Sequence, residues 1–460
     1  MKKDEIKKIY SNLQEYSNKD VCIYGWVKSV RGSKEFGFID LTDGTCFKTA
    51  QVVFFKELSE NFEEISKLNT GSTIKVEGTV CLTPENKQPF EIKARSVEAI
   101  SKTDETYPLQ KKRHTVEYLR EIAYLRPRTN LFSAIYRVRS ECAYAFHKYF
   151  HDNGFVYIHT PIITASDCEG GSDLFRVTTH NVYKDSKPIN PEDDYFGKPV
   201  YLTPTGQLEG EALASAFTKV YTFGPTFRSE NSNTTRHASE FWMIEPEVYF
   251  ADLDDIMDLE ESVIKYVINH VFETCPDEME FFNNFVDKGL IERLNNVRNS
   301  DFARISYTEA IEILKKNNDK FDFKVEWGAD IQTEHERYLA ETVFQKPVFV
   351  TDYPKDIKAF YMKQNQDGKT VRACDLLAPG VGEITGGSQR EEDYDKLVAR
   401  MNDLGLKEKD YWWYLNLRKF GSAVHSGFGI GFERILMYIT GISNIRDVEL
   451  FARTPKNCEY

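Results

Sequence analysis

Three segments in the last two-thirds of the chain combine arginines, acids and glycines in an order suited to phosphate and carboxylate chemistry. The first is Phe227-Arg228-Ser229-Glu230, continuing through Thr235-Arg236-His237 to Glu240-Phe241. The second is Gly382-Glu383 followed by Gly386-Gly387-Ser388-Gln389-Arg390. The third is Gly429-Ile430-Gly431-Phe432-Glu433-Arg434, a Gly-rich turn opening an apolar helix. Arginine offers planar, paired donors that match a carboxylate or a phosphate, which lysine does not. Glycines let backbone and nucleotide approach closely. There is no GxxxxGK[ST] loop, and no dinucleotide fingerprint follows a strand-like run. Alone, Arg228 and Glu230 read as an ion pair on a surface strand, and a Gly-rich turn before a helix is common. As an ordered set, the segments suggest an ATP-dependent acyl-adenylate site.

The rest of the chain must position these residues. Its 460 residues allow two or three domains and a substantial core. An apolar fraction of 41% and a charged fraction of 28% are ordinary for a globular protein. No run of eighteen apolar residues occurs, so no transmembrane helix is expected, and the start Met1-Lys2-Lys3-Asp4-Glu5-Ile6 lacks the apolar core of a signal peptide. The 8 cysteines are scattered and never spaced as CxxC, which argues against structural zinc and disulfides and suits a reducing cytoplasm. His147 and His151 share a helix face without a neighbouring ligand pattern, so they read as ordinary surface histidines. The net charge of −13 is unevenly spread: residues 1–103 carry 16 Lys+Arg against 15 Asp+Glu, and residues 104–140 carry 8 against 4. The acidity belongs to the C-terminal body; the neutral-to-basic front is where a polyanion could dock, although charge alone fits an ordinary solvated surface slightly better.

Runs at 21–30, 36–41, 49–55, 72–82 and 90–100 alternate apolar and polar positions, and 61–68 reads as a helix between the third and fourth. Five strands with one helix after the third match an OB-type barrel, with another small barrel or a sandwich as alternatives. Residues 104–129 are polar, basic and bounded by Pro108 and Pro127, which predicts a hinge. An amphipathic helix is expected from Asn130 to Asn153, stopped by Gly154, with a strand starting in Phe155-Val156-Tyr157-Ile158. Strands then alternate with long helices, including a helical stretch near 252–299.

Together, these features resemble the aspartate, asparagine and lysine branch of the class II aminoacyl-tRNA synthetases, over essentially the whole chain. The resemblance implies an α+β protein: a five-stranded OB-fold anticodon-binding barrel at 1–103, a hinge at 104–129, and a catalytic antiparallel sheet flanked by helices at 130–460. Motif 1, at about 130–161, would form a homodimer interface; motif 2 would span about 221–247 and motif 3 about 427–446. Arg228 would bridge the α-phosphate and the substrate carboxylate, and Arg434 would hold the γ-phosphate of a bent ATP. Glu230, Arg236 and His237 would contact the adenine side, Phe241 would stack on the ring, and Gly431 would line the nucleotide. Asp375 and Glu383 resemble the family's magnesium carboxylates, hard oxygen ligands that bridge to phosphates.

Aspartate-specific members of the branch carry a lysine three residues after the glutamine of an SPQxxK-like motif; here Gln207 is followed by Gly210 and Glu211. An asparagine side chain offers one acceptor and two donors, which Arg390 and Glu211 would meet. Aspartate would set a second carboxylate against Glu211. These segments resemble the asparagine-specific members, with Glu169 or Gln207 placed for the α-ammonium. On the barrel, Arg31, Phe38, Gln51 and Glu91 fall where related enzymes stack and read the middle anticodon base. The expected reaction is ligation of L-asparagine to tRNA(Asn), using ATP and magnesium, without zinc or a membrane. An aspartate-specific or relaxed enzyme, an ammonia-dependent asparagine synthetase on the same body, and a non-catalytic RNA-binding relative are the alternatives.

Overall fold

Period-two alternation in the first hundred residues closes a barrel. β1 (Asp20–Gly32), β2 (Phe36–Thr42), β3 (Ala50–Phe55), β4 (Thr73–Leu82) and β5 (Phe90–Ser101) pair in the closed order β1-β2-β3-β5-β4. The structure is a computed structural model that describes residues 3–58, 61–166, 174–181, 190–232 and 234–460. All barrel pairs are antiparallel except β3 with β5, and helix Phe62–Ser66 lies in the connection after β3. Ile23, Ile39, Val52, Ile74 and Ile92 are fully buried, while Phe38, Gln51 and Glu91, each one position away from a core residue, are half-buried. Closure removes the exposed strand edges that would otherwise pair with other chains.

The segment expected as a hinge is more than a linker. It contains helix Val116–Glu121, whose Tyr118 N–H donates to Thr115 Oγ1 at 3.3 Å. Its basic Lys111, Lys112 and Arg113 are exposed, but Leu109, Leu119 and Ala123 are buried. Arg126 is buried as well, its guanidinium 4.4 Å from the centre of the Phe132 ring. Apolar residues interleaved with the charges give the segment a packed side that its average polarity hides.

The chain divides into two compact units, Met1–Ala134 and Ile135–Tyr460, and the division falls inside helix Asn130–Asp152. The second unit is built on β6 (Val156–Tyr157), β10 (Lys219–Phe227), β11 (Glu240–Tyr249), β12 (Ala303–Ser306), β13 (Val348–Pro354), β14 (Thr370–Ala378), β15 (Gly382–Gln389) and β16 (His425–Gly431). Three short strands, β7 (Ile163–Thr164), β8 (Arg176–Val177) and β9 (Val200–Leu202), form a separate small sheet. The order of the large sheet is β12-β13-β14-β15-β16-β11-β10-β6. Its interior is antiparallel as expected, but both edges are parallel, β12 with β13 and β10 with β6, so the sheet is mixed. Parallel neighbours need a crossover, which helix Tyr307–Lys315 supplies between β12 and β13. The strand expected after Gly154 is only two residues long, and Pro161, which cannot donate to a ladder, follows in the segment before β7. The helical stretch near 252–299 is three helices, Leu253–Thr274, Pro276–Phe285 and Leu290–Asn299, separated at Pro276 and at Gly289 with φ +95°.

The glycines expected to make a turn before the motif 3 helix instead lie in strand β16. Packing beneath the sheet requires a further glycine of this strand, Gly427, where a Cβ would overlap the Glu247 carboxylate. Gly387 on β15 is similar, with Phe428 Cβ at 2.8 Å and Glu260 Oε1 at 3.0 Å from a built Cβ. These glycines leave room for buried carboxylates. Glu260, from helix Leu253–Thr274, is fully buried; Thr385 donates to Oε2, and Cys374 Sγ lies 3.5 Å from Oε1.

Burial pushes the Glu260 carboxyl from 4.5 up to about 8, so the folded protein holds a proton there that the unfolded chain releases. Stability from this site is present at low pH and is lost as pH rises from 4.5 to about 8. Against Glu260→Gln, which cannot titrate, the wild type should lose up to about 1.4 kcal/mol per pH unit within that window and nothing above it. Urea unfolding of both proteins at several pH values measures this, and a constant difference would contradict it.

Candidate active site

The hairpin of β10 and β11 supplies one wall of a cleft. Arg228 follows the last residue of β10, and its N–H donates to Ser239 O at 3.0 Å, holding the start of the connecting loop against its end. Phe241 stands on β11, with the Arg228 guanidinium 5.5 Å from its ring centre. Asp375 on β14 and Glu383 on β15 come from two adjacent strands beyond β16, and Arg434 lies in the first turn of helix Phe432–Thr440. Arg228, Glu230, Arg236, His237, Phe241, Asp375, Glu383, Gly431 and Arg434 all line this cleft of about 430 Å³. Thus side chains far apart in sequence converge on one cavity.

Two of the wall arginines, Arg434 and Arg236, are only loosely engaged. Arg434 Nη1 is 3.5 Å from Glu383 Oε1, with both side chains partly exposed. Arg236 donates to Thr333 Oγ1 at 3.2 Å and to Glu383 O at 3.4 Å. Glu336 accepts the Glu383 N–H at 3.1 Å, and burial, with the nearby Glu383 charge, pushes its carboxyl up to about 7. Glu433, also on the cleft, accepts from Arg139 Nη2 at 2.7 Å and from the Trp242 N–H at 2.9 Å. That carboxylate ties the start of the helix to β11 and to helix Asn130–Asp152.

The carboxylates suit a hard cation. A Cβ built on Gly386 falls 3.3 Å from Asp375 Oδ1 and 3.7 Å from Glu383 Oε1, so glycine keeps open a space that both acids border. No group of three or more potential metal ligands gathers among the described residues. A cation held here would take its remaining oxygens from phosphate and water, as magnesium prefers.

A buried polar floor lies outside the lining of this cleft and is reached along β15, where Gly387 lines the cleft and Arg390 follows the last residue of the strand. Glu211, on helix Gln207–Phe217, is fully buried and accepts from Gln207 Nε2 at 3.1 Å, Tyr414 OH at 2.8 Å, Arg418 Nη2 at 2.8 Å and His425 Nε2 at 3.0 Å. Burial opposes its ionisation, but Arg418, His425 and Arg390 outweigh this and hold the carboxyl well below its ordinary range. Arg390 grips Glu247 through both Nε, at 3.2 Å, and Nη2, and donates to Ser388 Oγ at 2.6 Å. Its Nε is 3.9 Å from Glu211 Oε1. The expected amino-acid residues Gln207, Glu211 and Arg390 are therefore brought together, but as buried, mutually bonded groups, not as free donors on the cleft surface. A Cβ on Gly210 would meet Glu247 Cγ at 3.4 Å, so a side chain at 210 would be directed onto Glu247. Glu169 lies outside the described residues.

In the barrel, Arg31 and Phe38 face each other across β1 and β2 and line a separate concavity with Gln51. Gln51 Nε2 donates to Glu91 Oε2 at 3.3 Å across β3 and β5. Phe36 meets Phe38 edge to face at 5.5 Å. His147 is engaged elsewhere, its Nδ1 2.9 Å from Tyr221 OH.

Sequence reasoning did not single out Lys358, Glu336, Glu433, Glu247, Arg418 or His425. Glu247 carried a signal, an acid on the inward side of a strand rich in apolar residues; the others depend on long-range packing. No helix among the described residues is long and apolar enough to cross a membrane.

Comparison with known proteins agrees with this arrangement. The model of the family described as tRNA synthetases class II (D, K and N) matches residues 115–455, and that of the OB-fold nucleic acid binding domain matches residues 21–100. The asparagine–tRNA ligase of Clostridium novyi (strain NT) is 62% identical over 459 residues, 99% of each chain. That of Bacillus cytotoxicus is 60% identical over 459 residues, again 99% of each. The crystal structure of asparaginyl-tRNA synthetase from Pyrococcus horikoshii complexed with asparaginyl-adenylate superposes with a TM-score of 0.88 at 36% identity, covering 100% of this chain and 99% of that one. With family models over both parts and close relatives over its whole length, the chain belongs to the asparaginyl-tRNA synthetase family of class II aminoacyl-tRNA ligases.

Proposed function

We propose that the chain activates L-asparagine with ATP, forming asparaginyl-AMP and pyrophosphate, and then transfers asparagine to the terminal adenosine of tRNA(Asn). The observation that carries this reading is the single cleft that joins Arg228, Arg434, Asp375 and Glu383; a separate buried cluster holds Arg390, and position 210 beside Glu247 is glycine. In the first step the asparagine carboxylate attacks the α-phosphorus and pyrophosphate leaves. Two anions must approach, so preorganised cations have to offset their repulsion. Arg228 is assigned to the carboxylate and α-phosphate, and Arg434 to the γ-phosphate. Glu230, Arg236, His237, Phe241 and Gly431 are assigned to the rest of the nucleotide. Magnesium, where Asp375 and Glu383 hold it, would neutralise phosphate charge. Gln207, Glu211 and Arg390 are assigned to asparagine recognition.

Specificity follows from the floor. Arg390 is already matched by Glu247, and Glu211 by Arg418 and His425. A neutral amide can share such groups, whereas a second substrate carboxylate would add an anion to a filled set of charges. This favours asparagine over aspartate. The barrel of residues 1–103 is assigned to the anticodon, followed by a hinge at 104–129 and a catalytic domain at 130–460. A homodimer through motif 1 is supported by exposed apolar side chains at Val156, Tyr157, Ile162 and Ile163, a surface that a two-fold partner would cover.

Pyrophosphate exchange with asparagine, aspartate and lysine in parallel tests the activity directly. Asparagine alone should stimulate it strongly, and equal stimulation by aspartate would overturn the specificity. Arg434→Ala should lower exchange by roughly two to three orders of magnitude without unfolding the protein, the cost of one preorganised anion-stabilising donor.

For the barrel, Phe38→Ala should weaken tRNA binding by about 1–3 kcal/mol, the value of one base–aromatic stack, while exchange without tRNA stays unchanged. Equal losses in both assays would mean that Phe38 supports the fold alone.

A further inference from the structure

Lys358 reaches the cleft from just beyond β13 and is absent from the assignments above. Its Nζ lies 2.6 Å from Asp375 Oδ2 and 4.0 Å from the centre of the Tyr353 ring. The two charged side chains are mostly buried, at 18% and 14% exposure. Asp375 therefore has two unlike sides: Oδ2 faces an ammonium, and Oδ1 faces the space beside Gly386 that Glu383 also borders.

We propose that Lys358 is a positioning residue that makes divalent-cation binding at Asp375 and Glu383 depend on nucleotide. The proposal rests on the assignment of those two acids to magnesium. With the ammonium on Oδ2, Asp375 carries little net charge, so two carboxylates alone hold a divalent cation weakly. Phosphate oxygens arriving with ATP complete the ligand shell, and the cation is retained only then. Without the ammonium, Asp375 would stand uncompensated and mostly buried beside Glu383, a strong attractor for a hard cation. Such a site would fill before ATP and hold its cation after pyrophosphate had left.

Manganese, a hard divalent cation with a paramagnetic signal, is the probe. The full-length protein is titrated with Mn²⁺ and followed by electron paramagnetic resonance, with and without a non-hydrolysable ATP analogue. Lys358→Met and Lys358→Gln are measured together, so that a folding defect in one leaves the other, and circular dichroism checks both. Without nucleotide, the variants should bind Mn²⁺ at least tenfold more tightly than the wild type, and adding Asp375→Asn should abolish the gain. Unchanged affinity in a folded Lys358 variant would overturn the proposal, as would a gain that survives Asp375→Asn. Asp375→Asn alone separates the two levels. If it leaves nucleotide-dependent Mn²⁺ binding intact, Asp375 is not a ligand and the magnesium assignment itself fails.

Discussion

Buried charge beneath the cleft constrains the rest of the catalytic unit. Glu211, Glu247, Arg390, Arg418 and His425 come from helix Gln207–Phe217, β11, the end of β15, helix Trp412–Lys419 and β16, and all are buried. None can shift alone, because an ion left unpaired away from water is far more costly than a lost surface contact. The arrangement fixes the first turn of helix Gln207–Phe217 against the sheet. It also sets the glycine requirement above, since Glu247 occupies the volume that a side chain at 427 would need.

Two arginines of the cleft wall follow the opposite rule. Arg434 and Glu383 meet at 3.5 Å with 28% and 38% of their side chains exposed, and Arg236 makes only long contacts. Partly solvated pairs of this kind contribute little to stability. On the proposed assignment, their weakness would let them trade a protein partner for a phosphate, while the tightly bonded floor would keep a constant shape.

Much of this was legible in the sequence because it was local. Five alternating runs, a helix after the third and turns between them describe the barrel, where neighbours in sequence are neighbours in a ladder. Arg228, Glu383 and Arg434 stood out only as an ordered set that resembles the class II motifs; each alone reads as an ordinary surface pair or turn. The parallel edges of the large sheet were not legible, since β6 and β12 are short and their partners are set by crossovers. The strand character of β16 was masked by its glycines, of which Gly427 reflects Glu247 beneath and Gly429 the close approach of Met243. Glu211 was singled out as a bare acceptor, yet the chain surrounds it with four donors, three of them, Tyr414, Arg418 and His425, more than two hundred residues away. Lys358 gave no signal because its meaning depends on Asp375, its partner on the neighbouring strand β14.

The claim that buried charges act as one unit is open to a double-mutant cycle on Arg390 and Glu247. Unfolding free energies of Arg390→Met, Glu247→Gln and the double variant, each measured against the wild type, give the coupling between the two side chains. If the pair is an indivisible part of the floor, the double variant should be more stable than the sum of the single losses predicts, by at least about 1.5 kcal/mol. Losses that add to within about 0.5 kcal/mol would show two independent side chains and contradict the account.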